Sequence, residues 1–226
     1  MTHPLEAGLR SGAMALGLAL SDAQLEQLLA YMDLIQKWTK VYNLTAVRDP
    51  AEMLTHHLLD SLAVVLPLQK QVAQLREQGA LAAGAPVRLL DVGSGAGLPG
   101  AVIAICCPAM TVHCVDTVAK KAAFIQQVAV SLKLPNLRGI HARVEKLTET
   151  YDVVSSRAFA SLLDFVSWSR NCLAEQGIWM AMKGKHPLDE IAALPVDVRV
   201  FHVEPLEVPG LDAERCILWL RSGVSV

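Results

Sequence analysis

Aromatic residues make up only 5% of this 226-residue chain and charged residues only 19%, and its basic and acidic totals nearly cancel. Each shortage excludes something. So few rings mean a core built mainly from aliphatic side chains, which a hydrophobic content of 53% supplies. Low charge with abundant apolar residues excludes intrinsic disorder. A net charge of −2, from 20 Lys+Arg and 22 Asp+Glu, does not announce a nucleic-acid binder. The five cysteines (Cys106, Cys107, Cys114, Cys172, Cys216) are odd in number and show no C-x-x-C spacing. They mostly sit in apolar runs, as reduced thiols of a cytoplasmic protein do. No apolar run reaches the roughly 18 residues of a membrane span, so no membrane partner is expected. The stretch Gly12–Leu20 has weak signal-like character, but Glu6 precedes it and no small-x-small cleavage site follows. It reads as mature protein.

What is present points to one large domain, or one domain with a small extension. A chain of this length buries about 70% of the surface its unfolded form exposes, so neither metal nor disulfide is needed and no metal site is expected. The small net charge hides an asymmetry. Between Thr117 and Lys146 lie six basic residues (Lys120, Lys121, Lys133, Arg138, Arg143, Lys146) against one acid, Glu145. Between Asp189 and Glu214 lie seven acids against Arg199. Either one face is basic or these are ordinary solvated helix faces.

Residues 1–78 carry helical signals and no strand pattern. Ser21-Asp22-Ala23-Gln24 forms a capping box. Leu25, Leu28, Leu29, Met32, Ile35 and Trp38 then recur at helical spacing. Asp49-Pro50-Ala51-Glu52 repeats the start signal, and Leu54, Leu58, Leu62 and Val65 continue one face until Pro67. A loop of small residues, Gly79 to Pro86, leads into residues 79–226, and the two parts are expected to form one structural unit. From Val87 short apolar strands are expected at Val87–Val92, Thr111–Asp116, Leu137–Ala142, Tyr151–Ser155, Gly177–Met182, Val198–Val203 and Cys216–Leu220. Helices are expected at Pro99–Cys107, Val118–Lys133, Ala160–Ala174 and Pro187–Ala193. This alternation predicts an α/β fold with a seven-stranded, mostly parallel sheet covered on both faces. With no helix between the last two strands, a late antiparallel hairpin closes one edge.

Asp91-Val92-Gly93-Ser94-Gly95-Ala96-Gly97-Leu98-Pro99-Gly100 sits on the first strand-to-helix turn, where doubly wound sheets bind ligands. Glycines there let the backbone turn tightly and approach a ligand. Asp116, ending the second strand, can accept both hydroxyls of a ribose. Gly95-x-Gly97-x-x-Gly100 matches the dinucleotide fingerprint, so an NAD-dependent oxidoreductase is one reading. Asp91 before the turn favours S-adenosylmethionine, because its carboxylate can meet an ammonium group that NAD lacks. Glycines of a purely structural turn, and a non-enzymatic RNA-binding factor on a vestigial fold, are the remaining alternatives. Val144-Glu145 follows the third strand, where an adenine would lie; Glu145 could equally cap a short helix.

After the fourth strand the chain reads Val153-Val154-Ser155-Ser156-Arg157-Ala158-Phe159-Ala160. It lacks the Asn/Asp-Pro-Pro-Tyr/Phe pattern of exocyclic-amine methylation, and no Pro-Cys nucleophile for pyrimidine C5 lies at the active edge. An acceptor nucleophilic without covalent help, such as guanine N7, fits that absence. The enzyme then supplies mainly proximity, with reacting atoms about 3–3.5 Å apart. No acid or base is assigned, and Arg157 is given an orienting role.

Four segments taken together resemble one bacterial family in order and spacing. They are Trp38 to Pro50, His56-His57-Leu58-Leu59-Asp60-Ser61, Asp91 to Gly100, and Ser156 to Ser161. The family is the small-subunit ribosomal RNA guanine-N7 methyltransferases, long called glucose-inhibited division protein B. The resemblance implies a class I S-adenosylmethionine-dependent methyltransferase with a Rossmann-like fold and an N-terminal helical extension. It implies 16S rRNA as partner, within the small subunit or an assembly intermediate, and methylation at position 527, in the 530 loop. Carried over by position, cofactor contacts fall on Gly93, Leu98, Asp116, Val144, Glu145 and Arg157, beside Asp91, Gly95 and Gly97 from the loop itself. The chain is expected to act as a cytoplasmic monomer. Candidate RNA contacts are His57, Arg143 and Lys183. His57 and Asp60, one helical turn apart, either meet substrate or are satisfied core residues. Trp38 and Tyr42 either stack on a base or pack the prefix onto the sheet.

Overall fold

The change of hydrophobic period near Val87 divides helices from sheet in the computed structural model, which describes residues 3–223. Helices α1 (Glu6–Ala15) and α2 (Asp22–Tyr42) open the chain. The capping box forms as the sequence predicts: Ser21 Oγ accepts from the Gln24 N–H, and Gln24 Oε1 accepts from the Ser21 N–H. Asn43 ends α2 in a left-handed conformation with φ 54°, which Asn tolerates better than most residues. Asp49 then caps α3 (Pro50–Met53), accepting from the Ala51 and Glu52 N–H groups. The helix continues through a wide π turn (Leu54–Leu59) into α4 (Asp60–Leu62). Helix α5 (Val65–Glu77) follows. Pro67 therefore does not end the apolar face, contrary to the sequence expectation. The break falls at Ala63–Val64, and Pro67 occupies the first turn of α5, where its missing N–H has no partner to lose.

The strands are β1 (Val87–Val92), β2 (Met110–Asp116), β3 (Leu137–His141), β4 (Tyr151–Arg157), β5 (Leu173–Lys183), β6 (Val198–Leu206) and β7 (Arg215–Ser222). Between them lie α6 (Gly100–Cys106), α7 (Ala119–Ser131), α8 (Leu162–Ser169) and α9 (Leu188–Ala192). The helix expected over Ala160–Ala174 is shorter because Ser161 caps it, its Oγ accepting from the Asp164 N–H at 3.0 Å, and β5 already begins at Leu173. The sheet order is β3-β2-β1-β4-β5-β7-β6. The last strands do form an antiparallel hairpin, but β7 inserts between β5 and β6 and runs antiparallel to both. That reversal carries the first residues of β7 to the same edge as the carboxyl ends of β1, β4 and β5.

Alternation along each strand sorts the core. Leu89, Val153, Met180 and Trp219 join the helical prefix, α6 and α7 in one buried cluster. Leu90, Val154, Trp179 and Leu218 join α8 in another. Leu28, Met32 and Ile35 of α2 are wholly buried. At about 1.5–3 kcal/mol each, they outweigh any surface ion pair joining prefix to sheet. The charge asymmetry also acquires a direction. The basic run Lys120–Lys146 lies on α7, on edge strand β3 and in the turn after it, whereas the acidic run Asp189–Glu214 surrounds opposite edge strand β6.

Candidate active site at the carboxyl edge of the sheet

The turn from β1 to α6 is held from three sides. Gly93, Gly95 and Gly97 have φ of 65°, 58° and 90°, values that side chains with a Cβ rarely adopt. A Cβ on Gly93 would stand 2.3 Å from the Phe159 ring, so that loop and the turn after β4 pack in direct contact. From the prefix, Tyr31 donates its buried hydroxyl to the Ala96 carbonyl at 2.6 Å. From β2, Asp116 accepts from the Gly95 N–H at 3.1 Å and the Val118 N–H at 2.8 Å, with Lys121 Nζ 3.6 Å away.

Beneath the loop, Asp91 is fully buried. One carboxylate oxygen accepts from the Gly100 N–H at 3.0 Å and the other from the Ser155 hydroxyl at 2.9 Å. Burial pushes its pKa up to about 6, against the opposing pull of those two bonds and of Arg157. The sequence reading aimed Asp91 at a ligand's ammonium group. The structure instead turns it inward, where it fastens the loop. Gly97 likewise works within the loop, its N–H donating to the Ser94 carbonyl at 2.8 Å. Neither residue lines either of the two cavities above the loop.

Two cavities open above the loop and share Gly93 and Ala158. Ala158 itself has φ 52°, an uncommon conformation where the chain turns off β4. The first cavity, of about 490 Å³, brings Gly93, Gly95, Leu98 and Arg157 together with His57, Lys183 and Arg215. The second, of about 560 Å³, brings Asp116, Val144 and Glu145 together with Arg143 and Trp168. Both volumes suit small-molecule binding. The RNA candidates thus divide: His57 and Lys183 face one cavity and exposed Arg143 the other.

Asp60 organises the first cavity. Its oxygens accept from Arg157 Nη1 and from Arg215 Nε, each at 2.8 Å. Arg157 also donates to the His56 carbonyl at 2.9 Å, which the π turn presents. His57 is buried, with Nε2 2.8 Å from Thr45 Oγ1. Burial pushes its pKa below the ordinary imidazole value, and the Arg157 charge adds to that. Lys183 Nζ pairs with Glu190 at 2.8 Å. Trp38 packs edge-on against Phe124 at 5.3 Å, joining α2 to α7, as the packing alternative required. Sequence reasoning missed Tyr31 and Arg215. Arg215 could have been found from the expected hairpin, because an antiparallel last strand begins at the ligand edge.

Among the described residues, no three His, Cys, Asp or Glu side chains are placed to hold a metal ion, and no helix is long and apolar enough to cross a membrane. All five cysteines are unpaired.

A sheet in this order, with a glycine turn after β1 and a carboxylate ending β2, defines a class I methyltransferase of the S-adenosylmethionine-dependent type. The crystal structure of TrmN from Thermus thermophilus shares the fold, with TM-score 0.52 at 18% identity over 75% of this chain and 53% of that one. The profile of the GidB family, rRNA small subunit methyltransferase G, matches residues 24–218, and the chain belongs to that family. The ribosomal RNA small subunit methyltransferase G of Acidovorax ebreus is 70% identical over 217 residues, covering 96% of this chain and 95% of its own. That of Polaromonas naphthalenivorans is 66% identical over 96% of each chain. The resemblance drawn from the four sequence segments therefore holds, and the NAD-dependent reading falls.

Proposed function

We propose that the chain transfers a methyl group from S-adenosylmethionine to N7 of a guanosine in the 530 loop of 16S rRNA, with the two cavities dividing the work. The observation that carries this reading is their junction at Gly93, with the Asp116 carboxylate on one side and the Arg157 guanidinium on the other. Asp116 would accept from the ribose hydroxyls, and Val144 and Glu145 would flank the adenine. The backbone of Gly93 to Gly95, Leu98 and Arg157 would hold the amino-acid end. The residues fit such a polar ligand: Ser94 Oγ and His57 Nδ1, on residues lining the first cavity, are buried without a protein partner. Asp91 contributes by holding the loop in shape.

When bound, S-adenosylmethionine supplies an electrophilic methyl carbon on a sulfonium. The residues of the first cavity then have to place a guanine in line with it and exclude water. Arg157, Lys183 and Arg215 form a cationic rim that suits the acceptor edge of guanine and its phosphates. Guanine N7 carries no proton, so no base is required. His57, neutral at pH 7 because burial and Arg157 lower its pKa, can offer a hydrogen bond without titrating. Action on the small subunit would place the enzyme in the cytoplasm, where small subunits are assembled.

The test uses small subunits lacking the methyl group. After incubation with enzyme and labelled donor, borohydride reduction and aniline treatment should break the RNA in the 530 loop, mapped by primer extension. A methylated product that resists cleavage would overturn N7, and a break elsewhere would overturn the target site.

A further inference from the structure

Phe124, Trp38 and Tyr42 form an aromatic ladder from the core to the surface. Phe124 of α7 is fully buried, the Trp38 ring meets it edge-on at 5.3 Å, and the Tyr42 ring tilts against Trp38 at 5.1 Å. The ladder ends in solvent. Tyr42 is 43% exposed, and its neighbour Val41 is 72% exposed. Lys120 Nζ stands 5.3 Å from the centre of the Tyr42 ring. Directly after the left-handed Asn43 come Leu44 and Thr45, which line the first cavity, while Lys121 beside Lys120 lines the second. An exposed ring with a cation over it thus stands two residues before Leu44 of the first cavity and against Lys120, the neighbour of Lys121 in the second.

We propose that Tyr42 is a stacking platform for an unpaired RNA base flanking the methylated guanosine, with Lys120 holding an adjoining phosphate. The inference rests on the functional reading above and adds a substrate contact to it. A ring braced from behind by Trp38 has little rotamer freedom left to lose when a base settles on it. Stacking on such a ring is tolerant of base identity and works together with nearby positive charge. A purely structural Tyr42 would have its ring covered by protein. Here one side of the ring meets Trp38 and a lysine chain stands over it, displaceable by a base that leaves the ammonium free for phosphate. The carrying residues are also separate from the arginines of the first cavity.

The experiment measures binding of small subunits lacking the methyl group at several salt concentrations. Tyr42→Leu should weaken binding about tenfold with an unchanged salt slope, because stacking, not charge, is lost. Tyr42→Phe should bind within about twofold of the parent, since the ring face remains. Lys120→Ala should instead reduce the salt slope by about one. Affinity of each variant for S-adenosylhomocysteine reports whether the site is folded. Should the leucine variant fail that check, ultraviolet cross-linking of the unmodified enzyme decides, with an RNA adduct expected on the peptide containing Tyr42. Leucine binding as well as tyrosine, phenylalanine binding as poorly as leucine, or adducts confined to other peptides would each overturn the proposal. Tight subunit binding with a cleavage-resistant product would overturn the N7 reading and leave the stacking result standing.

Discussion

The carboxylate of Asp60, on the helical prefix, accepts from the guanidinium of Arg157 at the end of β4 at 2.8 Å. Its second oxygen takes Arg215 at the same distance, so one buried acid positions two cations of the first cavity. Asp60→Ala should leave both guanidiniums without their counter-charge. Removing one partner of a buried ion pair typically costs about 3–5 kcal/mol. With the arginines partly exposed, the expected loss here is about 2–4 kcal/mol, read by urea denaturation. Cofactor affinity should fall as well. A change within about 0.5 kcal/mol would mean that the two arginines do not depend on Asp60.

Tyr31 ties the prefix to the glycine loop through a buried hydrogen bond to the Ala96 carbonyl. Tyr31→Phe removes only the hydroxyl and leaves that carbonyl unsatisfied, at a cost of about 1–3 kcal/mol. The loop should loosen, and S-adenosylhomocysteine should bind more weakly by calorimetry. Equal affinity together with equal stability would show that the loop holds its shape without α2.

Asp116→Ala should weaken S-adenosylmethionine binding roughly 10- to 100-fold, from the loss of hydrogen bonds to a charged group worth about 1.5–3 kcal/mol. The carboxylate also accepts from the Gly95 and Val118 N–H groups, so part of the loss should appear as reduced loop order. Unchanged affinity with an intact fold would remove Asp116 from the site.

Asp91 gives a pH signature. Its pKa is raised by burial from 3.8 to about 6. The folded state therefore holds this proton more tightly than the unfolded chain, and the Asp91 contribution to stability falls as pH rises from about 4 to 6. Asp91→Asn keeps the shape without the charge: its amide oxygen can accept from the Gly100 N–H while its amide N–H donates to the Ser155 hydroxyl oxygen. Relative to the parent, the variant should gain on the order of 3 kcal/mol between pH 4 and pH 7, at 1.36 kcal/mol per pKa unit. A difference that does not vary with pH would show that Asp91 is not the buried charge described.

Lys183 and Arg143 should differ as RNA contacts. Arg143 is exposed beside the second cavity, while Lys183 is already paired with Glu190. Arg143→Ala should reduce the salt slope of RNA binding by about one, and Lys183→Ala by less. Glu190→Gln should steepen the slope by freeing the lysine. Equal slopes in all three variants would place the RNA on another surface.

Much of this was legible along the chain. The capping box at Ser21, the change from helical to strand period at Val87, the glycine turn and Asp116 all express relations among residues close in sequence. Local propensity and patterning suffice to set such relations. The four motif segments, taken together, also pointed to the family. The positions of the glycine turn after β1, of Arg157 at the end of β4 and of Val144–Glu145 after β3 were likewise legible along the chain.

Tertiary structure decided the rest. Whether Asp91 faces a ligand or the core depends on Ser155 and Gly100 closing over it, contacts that spacing alone does not order. Tyr31 meets Ala96 across 65 residues and Asp60 meets Arg215 across 155. Both pairings exist because α2 packs onto the sheet and β7 returns antiparallel between β5 and β6. The sequence by itself determined which segments are helix, strand and glycine turn, because those follow from backbone sterics and apolar periodicity. Which side chains complete the site was left to the packing of distant elements, where burial and counter-charge, not local pattern, choose the partners.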